Sequence, residues 1–138
     1  MRIEQAQALL SIISDNPSII MGDLNTIAPE DNPRVRAEFE TFLQKNPRFK
    51  AYFKGRYPAK VIPLFYSKNF QDAKNNDQIE TTAYTPLHQL TKIGCPQAKY
   101  DHILYSSLID LKSFKILKGK IFDQTSDHYP IVAEIKIK

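Results

Sequence analysis

The chain has 138 residues, one Cys, no Trp, and 19 basic against 15 acidic residues for a formal net charge of +4. A hydrophobic fraction of 42% with 25% charged residues excludes a disordered or fibrous chain and fits one globular domain spanning 1–138. The single Cys excludes an internal disulfide framework and a Cys-based zinc cluster. No apolar run approaches the ~20 residues of a transmembrane segment, and no signal-peptide core opens the chain, so a soluble, cytoplasmic placement is the expectation.

Ile3, Ala6, Leu10 and Ile13 recur at three- and four-residue steps, which predicts an amphipathic helix over 2–14, stopped by Asp15-Asn16-Pro17. Ile19-Ile20-Met21 predicts a short buried strand running into Gly22-Asp23-Leu24-Asn25. A second helix is signalled by Asn32 as cap, Pro33 at the first helical position, and Val35, Phe39, Phe42 and Leu43 on one face; Asn46-Pro47 ends it. Val61, Ile62, Leu64 and Phe65 read as a strand interrupted by Pro63, and the polar, Asn/Asp-rich stretch Ser67 to Glu80 as a loop. Thr81–Thr85 reads as a strand and Pro86–Lys99 as irregular. Tyr100–Ser106 and Ser113–Leu117 are strands on either side of a turn or short helix. At the end Ile131, Ala133, Ile135 and Ile137 alternate with Val132, Glu134, Lys136 and Lys138, which predicts a strand with one buried and one mostly polar face. Helices early and strands late favour a layered α+β arrangement.

The positive charge is local. Lys45, Arg48, Lys50, Lys54, Arg56 and Lys60 lie in one stretch without an acidic residue, interleaved with Phe49, Tyr52, Phe53 and Tyr57, so the rest of the chain is net negative. Such a segment can contact phosphates and stack on bases or sugars. A solvated face with its aromatics turned inward is the commoner origin of such a run.

Three segments set short polar groups against apolar strands. Asp23 and Asn25, two residues apart, share a side in extended chain, and Gly22 allows a turn or a close approach. A carboxylate and an amide so placed can orient a water and a phosphate oxygen or complete a hard-metal site; an Asx-rich turn is the plain alternative. Asp101-His102 opens a strand, one facing the core and the other away, and a buried Asp would find its best partner in an imidazole. In Ser126-Asp127-His128 the neighbouring acid and imidazole point apart, so Asp127 could bind a cation while His128 draws a proton from water. Together these residue types suit Mg²⁺-assisted phosphoester hydrolysis.

These segments resemble a known family. Ile19-Ile20-Met21-Gly22-Asp23-Leu24-Asn25 resembles the GD-x-N strand end of the endonuclease/exonuclease/phosphatase superfamily, the deoxyribonuclease-I-like fold. Lys99-Tyr100-Asp101-His102-Ile103-Leu104-Tyr105-Ser106 resembles its [RK]-x-D-Y-[IV]-[FL]-x-S strand, with His102 where an aromatic is usual, and Ser126-Asp127-His128-Tyr129-Pro130-Ile131 resembles its C-terminal SDH-x-P-[IV] motif. The resemblance implies His128 as general base or phosphate-contacting His, Asp101 as its orienting partner, and Asp127 as a ligand to Mg²⁺, with Mn²⁺ as a substitute. It further implies Asp23 as the group that activates water or protonates the leaving oxygen, and Asn25 as a holder of the scissile phosphate.

The family's members are usually about twice this length, with an early Asn strand and a Gln-Glu strand whose Glu is the main metal ligand. The resemblance therefore implies one sheet-plus-helix half of a four-layer α/β sandwich. It also implies an inward apolar face that expects either an N-terminal half or a second copy in a homo-oligomer. Two functions follow. One is a Mg²⁺-dependent phosphodiester hydrolase domain, incomplete in this chain and slow or inactive alone, attacking in line with water. Arg48, Lys50, Lys54 and Arg56 would then serve as substrate cations, with nucleic acid ahead of phospholipid. The other is a non-catalytic half-domain serving as an interaction or structural module.

Overall fold

The computed structural model describes residues 3–13, 15–29, 33–53, 60–74 and 81–138. Helix α1 (Ile3–Ile12) and strand β1 (Ile19–Asp23) form where the periodicity predicts them. On α1 Ala6 is fully buried, with Leu9, Leu10 and Ile13 packed half-buried around the same cluster. Helix α2 (Pro33–Lys45) buries Val35, Phe39 and Phe42, spaced four and three residues apart, as one stripe. Each such side chain gains about 1.5–3 kcal/mol by leaving water. A 3₁₀ turn (Pro47–Phe49) then leads into α3 (Lys50–Phe53), where Phe53 meets Phe39 and Phe42 edge-on at centroid separations of 5.3 and 6.3 Å. The expected cap Asn32, and Ser14 at the expected end of the first helix, lie outside the described residues.

The stretch predicted as a strand over Val61–Phe65 is instead a helix, α4 (Ile62–Tyr66). Pro63 sits in its first turn, where a missing N–H costs nothing, and Val61, Ile62 and Phe65 turn to one buried side. The stretch read as a loop contains β2 (Phe70–Asp72), a strand whose ends, Phe70 and Asp72, are buried. Residues 75–80 of that stretch lie outside the described residues. Thr81–Thr85 is not a strand either: Ala83 alone makes isolated bridges, to Ala98 and to His128. A one-turn helix, α5 (Gln89–Lys92), interrupts the otherwise irregular segment that follows.

Strand β3 (Asp101–Ser106) is the centre of a three-stranded antiparallel sheet, flanked by β1 and β2. A two-residue turn leads to β4 (Ile109–Ile116), longer than its sequence signal, and a short helix α6 (Lys120–Thr125) connects it to β5 (Ile131–Ile137). β4 and β5 pair antiparallel, with a register shift between Leu111 and Ser113. Alternation along β3 separates two cores. Leu104 joins Ala6, Leu24, Ile62, Phe65 and Phe70 under the helices, whereas Ile103 and Tyr105 join Ile109 and Phe114 under the β4–β5 ribbon. The third cluster gathers Phe39, Phe42 and Phe53 around Tyr84 and Tyr100. The architecture is α+β, built on antiparallel sheets.

The face predicted as buried on the last strand is only partly covered. Ile131, Ala133 and Ile135 are half-buried and Ile137 is exposed, because a single ribbon lies over that core with nothing described beyond it. On the same side of the main sheet, β1 is not the buried strand its apolar run predicts: at the sheet edge it leaves Ile19 and Met21 open, Met21 to 67%. No described helix is long and apolar enough to cross a membrane.

Candidate active site

The antiparallel register of β1 on β3 sets Asp23 opposite Asp101, so two carboxylates from distant segments meet at one end of the sheet. Gly22 adopts φ +137°, a conformation that L side chains resist, and the space beside it is open; its role is conformational and not one of close approach. Asn25 is left-handed at φ 49° and not extended, yet its side chain does meet that of Asp23. Its backbone N–H donates to Asp23 Oδ1 at 2.8 Å and its amide Nδ2 donates to Oδ2 at 2.8 Å. The motif is thus both an Asx turn and a paired carboxylate and amide.

The strand start turns His102 into the core and leaves Asp101 half-buried at the site. Asp101 Oδ2 accepts from His128 Nδ1 at 2.7 Å. Thr82, fully buried, fixes Asp101 from behind: its hydroxyl oxygen accepts the backbone N–H groups of Tyr100 and Asp101 at 2.9 and 3.0 Å. His128 is held by the loop of residues 82–85. Tyr129 N–H donates to Thr82 O at 2.7 Å, Thr85 N–H donates to Asp127 O at 2.9 Å, and the Thr85 hydroxyl donates to Ser126 O. Ser126 Oγ accepts the backbone N–H of His128 at 3.2 Å. The hydrogen bond to Asp101 raises the His128 pKa above 6.5; partial burial opposes this, and the negative charges of Asp101, Asp23 and Asp127 reinforce it.

Asp23, Asp101 and His128 each bring a ligating atom within 4.8 Å of the others. Two carboxylates suit a hard cation such as Mg²⁺, which ordinarily binds one or two protein carboxylates and keeps waters and substrate phosphates for the rest. The imidazole gives its Nδ1 to Asp101, an arrangement compatible with proton handling and with ligation through Nε2 alike.

Of the residues singled out in the sequence, Asp23, Asn25, Asp101 and His128 converge. Asp127 does not join the group of three: its carboxylate is 55% exposed and faces the His88 Nε2 at 3.9 Å. Arg48 and Lys50 are exposed on the turn and helix after α2, with the Arg48 guanidinium 4.9 Å over the Phe49 ring. Among the described contacts neither reaches the carboxylate–imidazole group. Lys54 and Arg56 lie outside the described residues.

Two groups of residues escaped the sequence reading. Tyr84 and His88 border the site: their rings stack at 4.0 Å and 22°, and Tyr84 meets His128 edge-on at 5.9 Å. Below it lies a buried ion network. Asp72 Oδ2 accepts from Lys99 Nζ at 3.0 Å and from His102 Nδ1 at 2.8 Å, while His102 Nε2 lies 3.0 Å from Thr26 O. Both ring nitrogens thus face oxygen atoms, one a carboxylate and one a backbone carbonyl. Lys99 and Asp72 side chains are each 1% exposed. The bond to Thr26 ties the core of β3 to the residue after Asn25. Nothing in a Lys or an Asp within a polar stretch announces burial, since the partners are some 30 residues away.

Comparison with protein-family models, curated proteins and solved structures finds no match to this chain.

Proposed function

We propose that the chain is a phosphodiester hydrolase domain of the endonuclease/exonuclease/phosphatase type, dependent on Mg²⁺ or Mn²⁺, that hydrolyses by in-line attack of water. The observation that carries the reading is the convergence of Asp23, Asp101 and His128 within 4.8 Å, with Asn25 bonded to Asp23 and Asp101 bonded to His128. His128, its Nδ1–H donated to Asp101, presents its other nitrogen to take a proton from water. Asp101 holds the ring in that tautomer and stabilises the imidazolium as it forms. Asn25, whose amide also donates to Asp23, would hold a phosphate oxygen, and Asp23 would orient water or return a proton to the leaving oxygen. Asp23 and Asp101 would hold the cation, which when bound supplies neutralisation of phosphate charge.

Among the described residues no Glu joins the cluster, and we read it as one part of a larger metal site. The resemblance places Asp127 at that site as well. The basic, aromatic segment that begins at Lys45 leans the substrate towards nucleic acid over phospholipid.

A second reading, a non-catalytic interaction module or a homo-oligomer, is favoured by the open Ile19 and Met21 on an edge strand that carries no Lys or Pro. Light scattering after size exclusion tests it, and a monomer at high concentration would count against it. For the enzyme, hydrolysis of bis(p-nitrophenyl) phosphate with Mg²⁺ should be slow and should vanish with EDTA and in His128→Ala; turnover indifferent to both would overturn the proposal.

A further inference from the structure

His88 is half-buried beside the site, and its ring is fixed by two contacts. Its Nδ1 accepts the backbone N–H of Leu90 at 3.0 Å, which caps the turn α5. Its face stacks on Tyr84 at 4.0 Å. The acceptor role of Nδ1 settles the tautomer of the neutral ring: the proton sits on Nε2. That Nε2–H faces Asp127 across 3.9 Å, too far for a direct hydrogen bond. Tyr84, which carries the ring, also touches His128, and Asp127 is the neighbour of His128 in the chain. A single donor with one allowed direction is therefore held beside Asp127, its nearest described acceptor, at a separation longer than a hydrogen bond.

We infer that His88 is a substrate-binding residue whose Nε2–H donates a hydrogen bond to a non-bridging oxygen of a phosphodiester seated between His128 and Asp127. The inference rests on the phosphodiester reading above and adds to it a residue that anchors the substrate beside Asp127. The Tyr84 stack keeps the ring from rotating away.

The two nitrogens can be tested separately. Asn at position 88 places its side-chain oxygen near Nδ1 and retains a good helix cap, but it has no donor at Nε2; Gln places its amide near Nε2 and gives up the cap. The probes are the dinucleotide dTpdT and glycerophosphoinositol, with Mg²⁺, followed by histidine ring ¹H–¹⁵N NMR and by titration calorimetry. In the wild-type protein the His88 ring should show Nδ1 unprotonated and Nε2 protonated, and the Nε2–H resonance should move downfield on adding whichever probe binds. His88→Asn should weaken that binding roughly tenfold, the effect of one hydrogen bond to a charged group. His88→Gln should stay within about twofold of wild type although its melting temperature falls. Equal affinity of His88→Asn and wild type, or equal loss in both variants, overturns the assignment of the donor. Binding of neither probe to the wild-type protein overturns the phosphodiester reading itself, so the two failures are distinct. Which probe binds separates a nucleic-acid substrate from a lipid headgroup.

Discussion

His128 Nδ1 and Asp101 Oδ2 meet at 2.7 Å although 27 residues separate them in the chain. The contact exists because Thr82 anchors the backbone on the Asp101 side and also pairs with Tyr129 on the His128 side. One short loop thus sets both halves of the pair.

The first prediction follows from that pair. In metal-free protein, NMR titration of the histidine rings should show His128 titrating above 6.5, and Asp101→Asn should bring it back towards that value. The sign for stability is that of a raised folded-state pKa. The contribution is complete below about pH 6.5, the unfolded value, and is lost as pH rises through the folded value. A His128 that titrates alike in both proteins would contradict the pairing.

Thr82 offers a structural test of the same contact. Thr82→Val leaves two backbone N–H groups without their acceptor and should cost about 1–3 kcal/mol in urea unfolding. Thr82→Ser keeps the oxygen and should restore most of that loss. The Val variant should also lose the upward shift of His128; equal stability of Val and wild type would contradict the role given to the hydroxyl.

The buried network predicts a different pH dependence. Burial alone would raise the Asp72 pKa, but the hydrogen bonds and charges of His102 and Lys99 outweigh it and hold the carboxyl below 3.8. Its contribution to stability is therefore present above the unfolded value and lost as pH falls through the folded one. Asp72→Asn leaves Lys99 and His102 without a buried counter-charge and should destabilise by about 3–5 kcal/mol near neutral pH. The variant should lack the acid-side loss attributable to Asp72. A cost under about 1 kcal/mol would show the network to be dispensable.

How far the sequence reveals this molecule depends on how local each signal is. α1, α2, β1, β3 and β5 carry their period within a few residues, and they were legible. Asp23, Asn25, Asp101 and His128 stand at strand ends, where a polar residue beside an apolar run is conspicuous. The α4 segment misled because Pro63 argues against a strand interior and fits equally well in a helix's first turn. β2 was hidden because Asp72 looks like loop composition until Lys99 and His102 arrive to pair with it. His88 was hidden for a related reason: its cap to Leu90 is local, whereas its stack on Tyr84 and its approach to Asp127 depend on a fold that brings residues 84–88 beside 126–129.

The central claim is that Asp101 and His128 act as one proton-handling unit on a phosphodiester. Its most direct test is Mg²⁺-dependent hydrolysis of bis(p-nitrophenyl) phosphate by wild type, His128→Ala and Asp101→Asn, each shown to be folded by circular dichroism. The account predicts slow, EDTA-sensitive turnover by wild type that falls at least 100-fold in His128→Ala, on the order expected for losing a general base, and substantially in Asp101→Asn. Mg²⁺-dependent wild-type turnover that survives undiminished in His128→Ala would contradict it.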